Sequence, residues 1–132
     1  MRAIDTNVIV RFLVGDDAAM MSRACRLLEQ ADASKDPLVI STPVLLEMLW
    51  VLGSAYRFSR TSILDAVERL QALPAINFEC RSLAAELVRQ GRMSRLDLAD
   101  ILIGLHAKSL GADTILTFDR KAAQSDLFEE VP

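Results

Sequence analysis

Histidine and cysteine are scarce in this sequence, and their scarcity excludes several kinds of active site. His106 is the single histidine among 132 residues, and Cys25 and Cys80 are the two cysteines. Zinc sites and serine or cysteine triads depend on imidazole, so the sequence argues against both. The two cysteines are far apart without metal-ligand spacing, which favours reduced, partly buried thiols. We expect His106 on the surface of a helix or in a groove.

The chain also lacks a long apolar run and an excess of positive charge. No charge-free apolar stretch approaches the roughly 20 residues that a membrane span needs. Asp5 interrupts the apolar part that a signal peptide would require, so we expect a cytoplasmic protein with no membrane association. Because 15 basic and 18 acidic residues give a net charge of −3, any binding of nucleic acid must be local. Most of the basic residues are arginines, whose planar guanidinium binds phosphate bidentately.

Apolar residues are plentiful enough for one domain over residues 1–132. They make up 52% of the sequence, and a chain of this length buries roughly two thirds of its unfolded surface. Short strand-like runs alternate with runs that have helical spacing. This order predicts an α/β fold, a three-layer sandwich in which a mostly parallel sheet of four to five strands has helices on both faces.

Local sequence signals place the individual elements of this fold. We predict strands in RAI, PLVIS, AINFE and DTILTFD, with FEEV as a fifth. The predicted helices are TNVIVRFLV, DDAAMMSRACRLLEQAD, TPVLLEMLWVLGSAY, SRTSILDAVERLQAL, CRSLAAELVRQG and SRLDLADILIGLHAKSLG. Gly15, Gly91 and Gly111 are expected to end three of them. Thr42 is expected to cap another, with Pro43 at its first helical position.

Four acids are brought by this arrangement towards one edge of the predicted sheet. Asp5 and Asp119 follow the first and fourth strands. Glu47 lies about one turn into the helix after the second strand, and Asp100 lies early in the helix before the fourth. The carboxyl ends of parallel strands are the usual functional edge of such folds. Asp97 precedes Asp100 by three residues and therefore shares its helix face.

Ordinary structural roles compete with a functional role for some of these acids. Asp5 and Asp119 could each cap the helix that follows. The segment SRLD matches a capping box in which Asp97 occupies the third position. Asp100 and Glu47 have no such role, and both lie among apolar neighbours, where an unpaired carboxylate is costly.

Carboxylates that converge need a counter-charge. Two of them about 4 Å apart repel by roughly 4 kcal/mol at an effective dielectric constant near 20. The four acids would not stay ionised together without a cation, and oxygen ligands select one or two Mg²⁺ or Mn²⁺ ions. Since Mg²⁺ bridges to phosphate oxygens, the sequence predicts a phosphodiester or phosphate ester as the substrate.

The order and spacing of these motifs resemble the PIN-domain ribonucleases, and most closely the VapC-type toxins of bacterial type II toxin–antitoxin pairs. The resemblance covers essentially the whole chain and rests on IDTNVIVRFL, STPVLLEMLWVL, DLADILIGLHAKSLGADTILTFD and RKAAQSDLFEEV. It implies that the catalytic and metal-binding acids are Asp5, Glu47, Asp100 and Asp119, with Asn7, Asp97 and Thr117 as auxiliary groups.

The resemblance also implies an activity and partners. The expected protein is a Mg²⁺- or Mn²⁺-dependent endoribonuclease that cleaves structured RNA or single-stranded loops and leaves a 5′-phosphate and a 3′-hydroxyl. It is expected to form a homodimer, and a heterotetramer or larger assembly with a cognate VapB-type antitoxin whose C-terminal segment fills the groove. Basic residues near the motifs are the RNA-binding candidates: Arg11, Arg92, Arg95, Arg120 and Lys121.

Three other interpretations stay open at this point. A phosphatase of the haloacid dehalogenase type also begins with a strand that ends in aspartate, but it uses a second acid where this chain has Asn7. A phospho-receiver domain needs an aspartate at the end of its third strand, where this chain has Glu79. The third alternative is a non-catalytic PIN-like regulator, which the presence of all four acids disfavours.

Overall fold

The computed structural model describes residues 1–132 and contains five strands, six α-helices and one short 3₁₀ helix. The strands are β1 (Arg2–Ala3), β2 (Leu38–Ile40), β3 (Ile76–Phe78), β4 (Ile115–Thr117) and β5 (Phe128–Glu130). The helices are α1 (Thr6–Val14), α2 (Ala18–Ala33), α3 (Thr42–Ser54), α4 (Arg60–Ala72), α5 (Arg81–Met93) and α6 (Leu98–Ser109). The 3₁₀ helix, Ala122–Gln124, lies between β4 and β5.

All strand pairs are parallel, which confirms the predicted α/β class. The strands form two hydrogen-bonded groups, one in the order β1–β2–β3 and one of β4 with β5. Leu38 of β2 is opposite Arg2 and Ile76, and Ile115 of β4 is opposite Phe128. The sequence predicted one sheet of four to five strands, whereas the hydrogen bonds divide it. Because β1 has only two residues, it offers few backbone groups to a second neighbour after pairing with β2.

One hydrophobic core of 30 buried residues includes side chains from all six helices. Helix α5 shows how the sequence directs this packing, because Leu83, Ala84, Leu87 and Val88 lie on one face and are all buried. None of the helices combines the length and apolar composition that crossing a bilayer requires. The connections on the outside of this core position the candidate site.

The ends of α1 agree with the sequence prediction. The Asp5 carboxylate accepts a hydrogen bond from the Thr6 backbone N–H at 2.8 Å, so Asp5 is the N-cap. Gly15 ends the helix with a φ of 68°, a left-handed conformation that glycine adopts without a Cβ clash. Asp5 is thereby fixed between β1 and α1, at the carboxyl end of the strand.

The predicted start of α3 and the predicted end of α5 are wrong. Ser41 caps α3 by accepting from the Val44 N–H at 3.4 Å, and Thr42 is already helical, so the cap lies one residue earlier than predicted. Gly91 does not end α5, which continues for two more residues. A Cβ atom on Gly91 would lie 2.6 Å from Cδ2 of Leu64, so this glycine lets α4 and α5 approach closely. Close packing, rather than a helix end, explains the glycine.

Candidate acidic site and arginine-lined groove

The topology directs the four predicted acids towards the carboxyl ends of the strands. Asp5 follows β1, Asp119 follows β4, and Glu47 lies in α3, which follows β2. Asp100 lies in the first turn of α6. Because α6 leads back to the start of β4, the N-terminal end of α6 lies near the carboxyl end of β4. Helix α3 packs against both α1 and α6 and therefore lies between the segments that carry Asp5 and Asp100.

Asp100 has the most perturbed environment among these acids. Its side chain is half-buried, and burial raises the pKa of its carboxyl above the ordinary value. The negative charges of Asp97 and Asp119 raise that pKa further, which places both carboxylates within electrostatic range of Asp100. Asp5 and Glu47 are exposed and do not contribute to this shift. The electrostatic influence on Asp100 therefore comes from Asp97 and Asp119.

Asp97 has a structural role that differs in detail from the predicted capping box. It is itself the N-cap of α6, because Oδ1 accepts from the N–H groups of Ala99 at 2.9 Å and Asp100 at 3.3 Å. The hydroxyl of Ser94, the predicted cap, bonds instead to the Leu96 N–H in the preceding loop. The helix consequently begins three residues later than the sequence indicated, and Asp100 falls in its first turn.

Asp119 is held by its neighbours in a similar way. Its Oδ1 accepts from the N–H groups of Lys121 at 2.9 Å and Ala122 at 3.2 Å, in the turn that leads into the 3₁₀ helix. Its own N–H donates to Oγ1 of Thr117 at 3.0 Å. Thr117 therefore lies where the sequence placed an auxiliary group, directly beside the acid at the end of β4.

The loop that leads into α6 is tied to α4 by one arginine. Nε of Arg60 donates to the Gly91 carbonyl at 2.9 Å, and Nη1 donates to the Leu96 carbonyl at 2.6 Å. Burial lowers the pKa of this guanidinium, and the charge of Asp97 opposes that effect. Arg60 thus fixes the segment directly before Asp97, a role that no local sequence signal indicates.

The oxygen atoms of the predicted acids are the donors that a metal ion would need. No group of three or more histidine, cysteine, aspartate or glutamate side chains is close enough together to hold an ion, so the predicted convergence of four acids is not seen. The available donors are nevertheless all carboxylate oxygens, which suit Mg²⁺ or Mn²⁺. Asp5, Asp97 and Asp119 each accept hydrogen bonds through Oδ1 alone, leaving Oδ2 available. A cation would also relieve the repulsion at Asp100.

Two of the predicted RNA-binding residues are engaged by acids. Nη1 of Arg11 donates to both carboxylate oxygens of Asp16, at 2.9 and 3.0 Å. Arg92 reaches across to α4, where Nη2 contacts Asp65 at 2.9 Å and Glu68 at 3.1 Å. These contacts pair Nη2 of Arg92 with two acids of α4.

The other three candidates are more accessible. Arg95 and Lys121 are exposed, and neither side chain forms an ion pair. Nε of Arg120 lies 3.5 Å from Oε1 of Glu130, but the Arg120 side chain is 88% exposed. Arg120 and Lys121 directly follow Asp119 and are the basic residues nearest in sequence to that acid.

A groove with a volume of about 600 Å³ lies between α1 and α2. Its polar lining includes Asn7, which follows Asp5 closely, and Arg11, both of which the sequence singled out. Arg23 and Arg26 also line it, and the sequence prediction missed them. Their spacing of three residues on a helix was the available signal, because it places both on one face.

The residues that argued against other chemistries are placed as expected. His106 is exposed near the end of α6. Cys25 and Cys80 are free thiols of intermediate burial. Glu79, which directly follows β3, accepts from the Thr42 N–H at 3.0 Å and so joins the end of β3 to the start of α3.

An α/β fold with parallel strands, and with carboxylates at their carboxyl ends, defines a small domain with an acidic site of the kind used on phosphate esters. The chain belongs to the PIN domain family, whose model matches residues 3–126. It is 22% identical over 121 residues to a VapC ribonuclease from Aquifex aeolicus (strain VF5), covering 92% of this chain and 89% of that protein. No solved structure matches significantly. The family predicted from the sequence motifs is confirmed.

Proposed function

We propose that this protein is a metal-dependent endoribonuclease that acts as the toxin of a toxin–antitoxin pair. The observation that carries the proposal is the half-buried Asp100 in the first turn of α6, opposed by the charges of Asp97 and Asp119 in a PIN domain. A perturbed carboxyl beside other acids is characteristic of functional sites. The similarity to a protein described as a VapC ribonuclease supports RNA as the substrate class.

The proposed roles follow from the positions of the acids. Asp5, Glu47, Asp100 and Asp119 would hold one or two Mg²⁺ or Mn²⁺ ions. When bound, such an ion lowers the pKa of water and offsets charge on phosphate oxygens. Among the supporting residues, Thr117 fixes the backbone of Asp119, and Asp97 fixes the first turn of α6. Asn7, exposed in the first turn of α1, is available to a substrate beside Asp5.

The substrate would be a single-stranded or looped segment of RNA. Bases in a duplex are difficult for side chains to reach, whereas unpaired bases can be contacted from several sides. Arg95, Arg120 and Lys121 are accessible for phosphate contacts. The proposed products carry a 5′-phosphate and a 3′-hydroxyl, and an RNA substrate agrees with the cytoplasmic location expected from the sequence.

The proposed partners are a second copy of the chain and a VapB-type antitoxin, joined in a heterotetramer or larger assembly. Large apolar side chains on the surface support such contacts, since Trp50 is 66% and Phe118 is 84% exposed. Met48 and Leu49, which directly precede Trp50 in the sequence, are buried in the core instead. Sedimentation distinguishes a single chain of 14.6 kDa from a homodimer of twice that mass.

The test of the nuclease proposal is cleavage by matched variants. Asp5→Asn and Asp100→Asn should each reduce RNA cleavage by about 10³-fold or more while circular dichroism shows an intact fold. Asp36→Asn is the control, because this exposed acid precedes β2 and lies at the opposite end of the strands. EDTA should stop cleavage by the wild type, and added Mg²⁺ or Mn²⁺ should restore it.

Two results would contradict the proposal. Wild-type cleavage by Asp100→Asn would remove Asp100 from the chemistry, and cleavage unaffected by EDTA would remove the metal. Membership of the PIN family already disfavours the phosphatase and receiver interpretations. A wild-type protein that binds RNA without cleaving it, with metal supplied, would favour the non-catalytic regulator.

A further inference from the structure

The groove between α1 and α2 has a lining that differs in charge from the rest of the protein. Nine residues form it, and none is acidic: Asn7, Val8, Arg11, Met20, Arg23, Ala24, Arg26, Leu27 and Gln30. The chain as a whole has a net charge of −3. Three arginines therefore line a concave surface that has no acid in its lining, and such a surface attracts an anionic ligand.

Two of the three arginines in this groove have no internal partner. Arg11 is paired with Asp16, but Arg23 and Arg26 are exposed and form no ion pair. Both lie on one face of α2, three residues apart, so their like charges face the same space. Since no acid of this chain compensates them, their guanidinium groups are available to an external anion.

The position of the groove connects it to the candidate acidic site. Helices α1 and α2 pack together and are joined by only three residues, 15–17, so they form an antiparallel hairpin. Asn7 lines the groove from the first turn of α1, two residues after the Asp5 cap. From Met20 to Gln30 the groove follows about 15 Å of α2. It therefore leads away from the edge that carries Asp5.

The geometry points to Arg23 and Arg26 as contacts for the phosphodiester backbone of an RNA strand that extends from the acidic site. This inference rests on the proposed nuclease function. A guanidinium group donates two parallel hydrogen bonds to a phosphate, and such contacts position a strand without reading its sequence. An RNA strand carries one negative charge per nucleotide. It therefore suits a groove with unpaired arginines and no acids better than an uncharged ligand does.

The test is RNA binding by Arg23→Gln/Arg26→Gln in EDTA, which prevents cleavage. The probe is a fluorescein-labelled single-stranded RNA of about 20 nucleotides, followed by anisotropy between about 50 and 200 mM KCl. We expect Kd to rise about tenfold or more at the lower salt concentration. The slope of log Kd against log salt should fall by about 1.4, since each phosphate contact to a single strand contributes about 0.7.

Two matched variants separate groove contacts from net charge. Arg57→Gln/Arg81→Gln removes the same two charges from exposed residues that do not line the groove, and it should change the slope far less. Arg23→Lys/Arg26→Lys keeps the charge and should keep most of the slope. All these side chains are exposed, so circular dichroism and Tm should match the wild type.

Each outcome decides for or against the inference. Unchanged Kd and slope in Arg23→Gln/Arg26→Gln, with cleavage retained, would overturn the inference and leave the nuclease proposal intact. A variant that keeps RNA binding but loses binding of a poly-glutamate peptide would identify a peptide site instead. A wild-type protein that neither binds nor cleaves RNA would overturn both proposals.

Discussion

Asp97 and Asp100 show how two acids on one helix can differ in role. Asp97 caps α6 through Oδ1, whereas Asp100 is half-buried and accepts no hydrogen bond that would offset its charge. Asparagine caps a helix about as well as aspartate, but alanine does not. Asp97→Ala should therefore lower the free energy of unfolding by about 1 kcal/mol, and Asp97→Asn should leave it nearly unchanged. Urea denaturation measures both.

RNA cleavage by the same variants separates capping from chemistry. Asp97→Asn keeps the cap and should reduce cleavage less than Asp100→Asn does. If Asp97→Asn were the more damaging of the two, Asp97 would be the essential acid of the pair. Equal unfolding free energies for the alanine and asparagine variants would show that the cap contributes no stability.

Asp100 also predicts a pH dependence of stability in metal-free buffer. The pKa of Asp100 is raised in the folded state, so ionisation of Asp100 disfavours folding. The contribution of the protonated carboxyl to stability is therefore present at low pH and is lost as pH rises through the folded-state pKa. Asp100→Asn should raise Tm at pH 7 and have no such effect below about pH 3.9, where the carboxyl is protonated in both states. Calorimetry across this range, with Asp36→Asn as control, checks the sign. A lower Tm at pH 7 would contradict it.

Gly91 and Gly53 both lie within helices, but only Gly91 is closely packed against neighbouring side chains. A Cβ on Gly91 would lie 2.6 Å from Leu64 and 2.9 Å from Leu98, whereas a Cβ on Gly53 would lie 3.5 Å from Ile63. Gly91→Ala should lower the free energy of unfolding by about 1–3 kcal/mol through overpacking. Gly53→Ala should be neutral or stabilising by up to about 1 kcal/mol, because alanine favours helix.

Chemical denaturation of the two glycine variants compares them directly. A Gly91→Ala protein as stable as the wild type would show that Leu64 and Leu98 adjust without strain. Loss of stability in Gly53→Ala would show that the end of α3 is less open than its contacts indicate.

Element types were predictable from the sequence, while several element boundaries were not. Apolar spacing located all six helices, and alternation of helices with short strands gave the α/β class. The ends of α3, α5 and α6 were misplaced because serine, glycine and aspartate each support more than one local structure. Ser41 and Asp97 took the caps expected of Thr42 and Ser94, and Gly91 served packing. Such choices depend on tertiary contacts that a local pattern does not contain.

At the scale of the whole molecule, strand ends predicted that Asp100 and Asp119 lie at one edge, whereas the predicted gathering of four acids into one ion-binding group is not seen. The approach of Asp119 to Asp100 follows from β4 and α6 meeting at one edge. The groove was not predictable, since it depends on how α1 packs against α2 and on which arginines lack a partner. Arg92 was predicted to bind RNA because it lies near a motif in sequence, yet its side chain is paired with Asp65 and Glu68.

Binding of a divalent cation should stabilise the whole molecule, because it opposes the repulsion that the fold imposes on Asp100. A ligand that binds only the folded state adds about 2.7 kcal/mol at a concentration one hundred times its Kd. Millimolar Mg²⁺ or Mn²⁺ should therefore raise the wild-type Tm by several degrees relative to NaCl of equal ionic strength. Asp36→Asn should respond in the same way, whereas Asp100→Asn, which removes one of the proposed ligands, should respond much less. An equal rise in Tm for Asp100→Asn would place the cation away from Asp100. No rise in Tm for the wild type would exclude a stabilising cation, even if the wild type cleaved RNA.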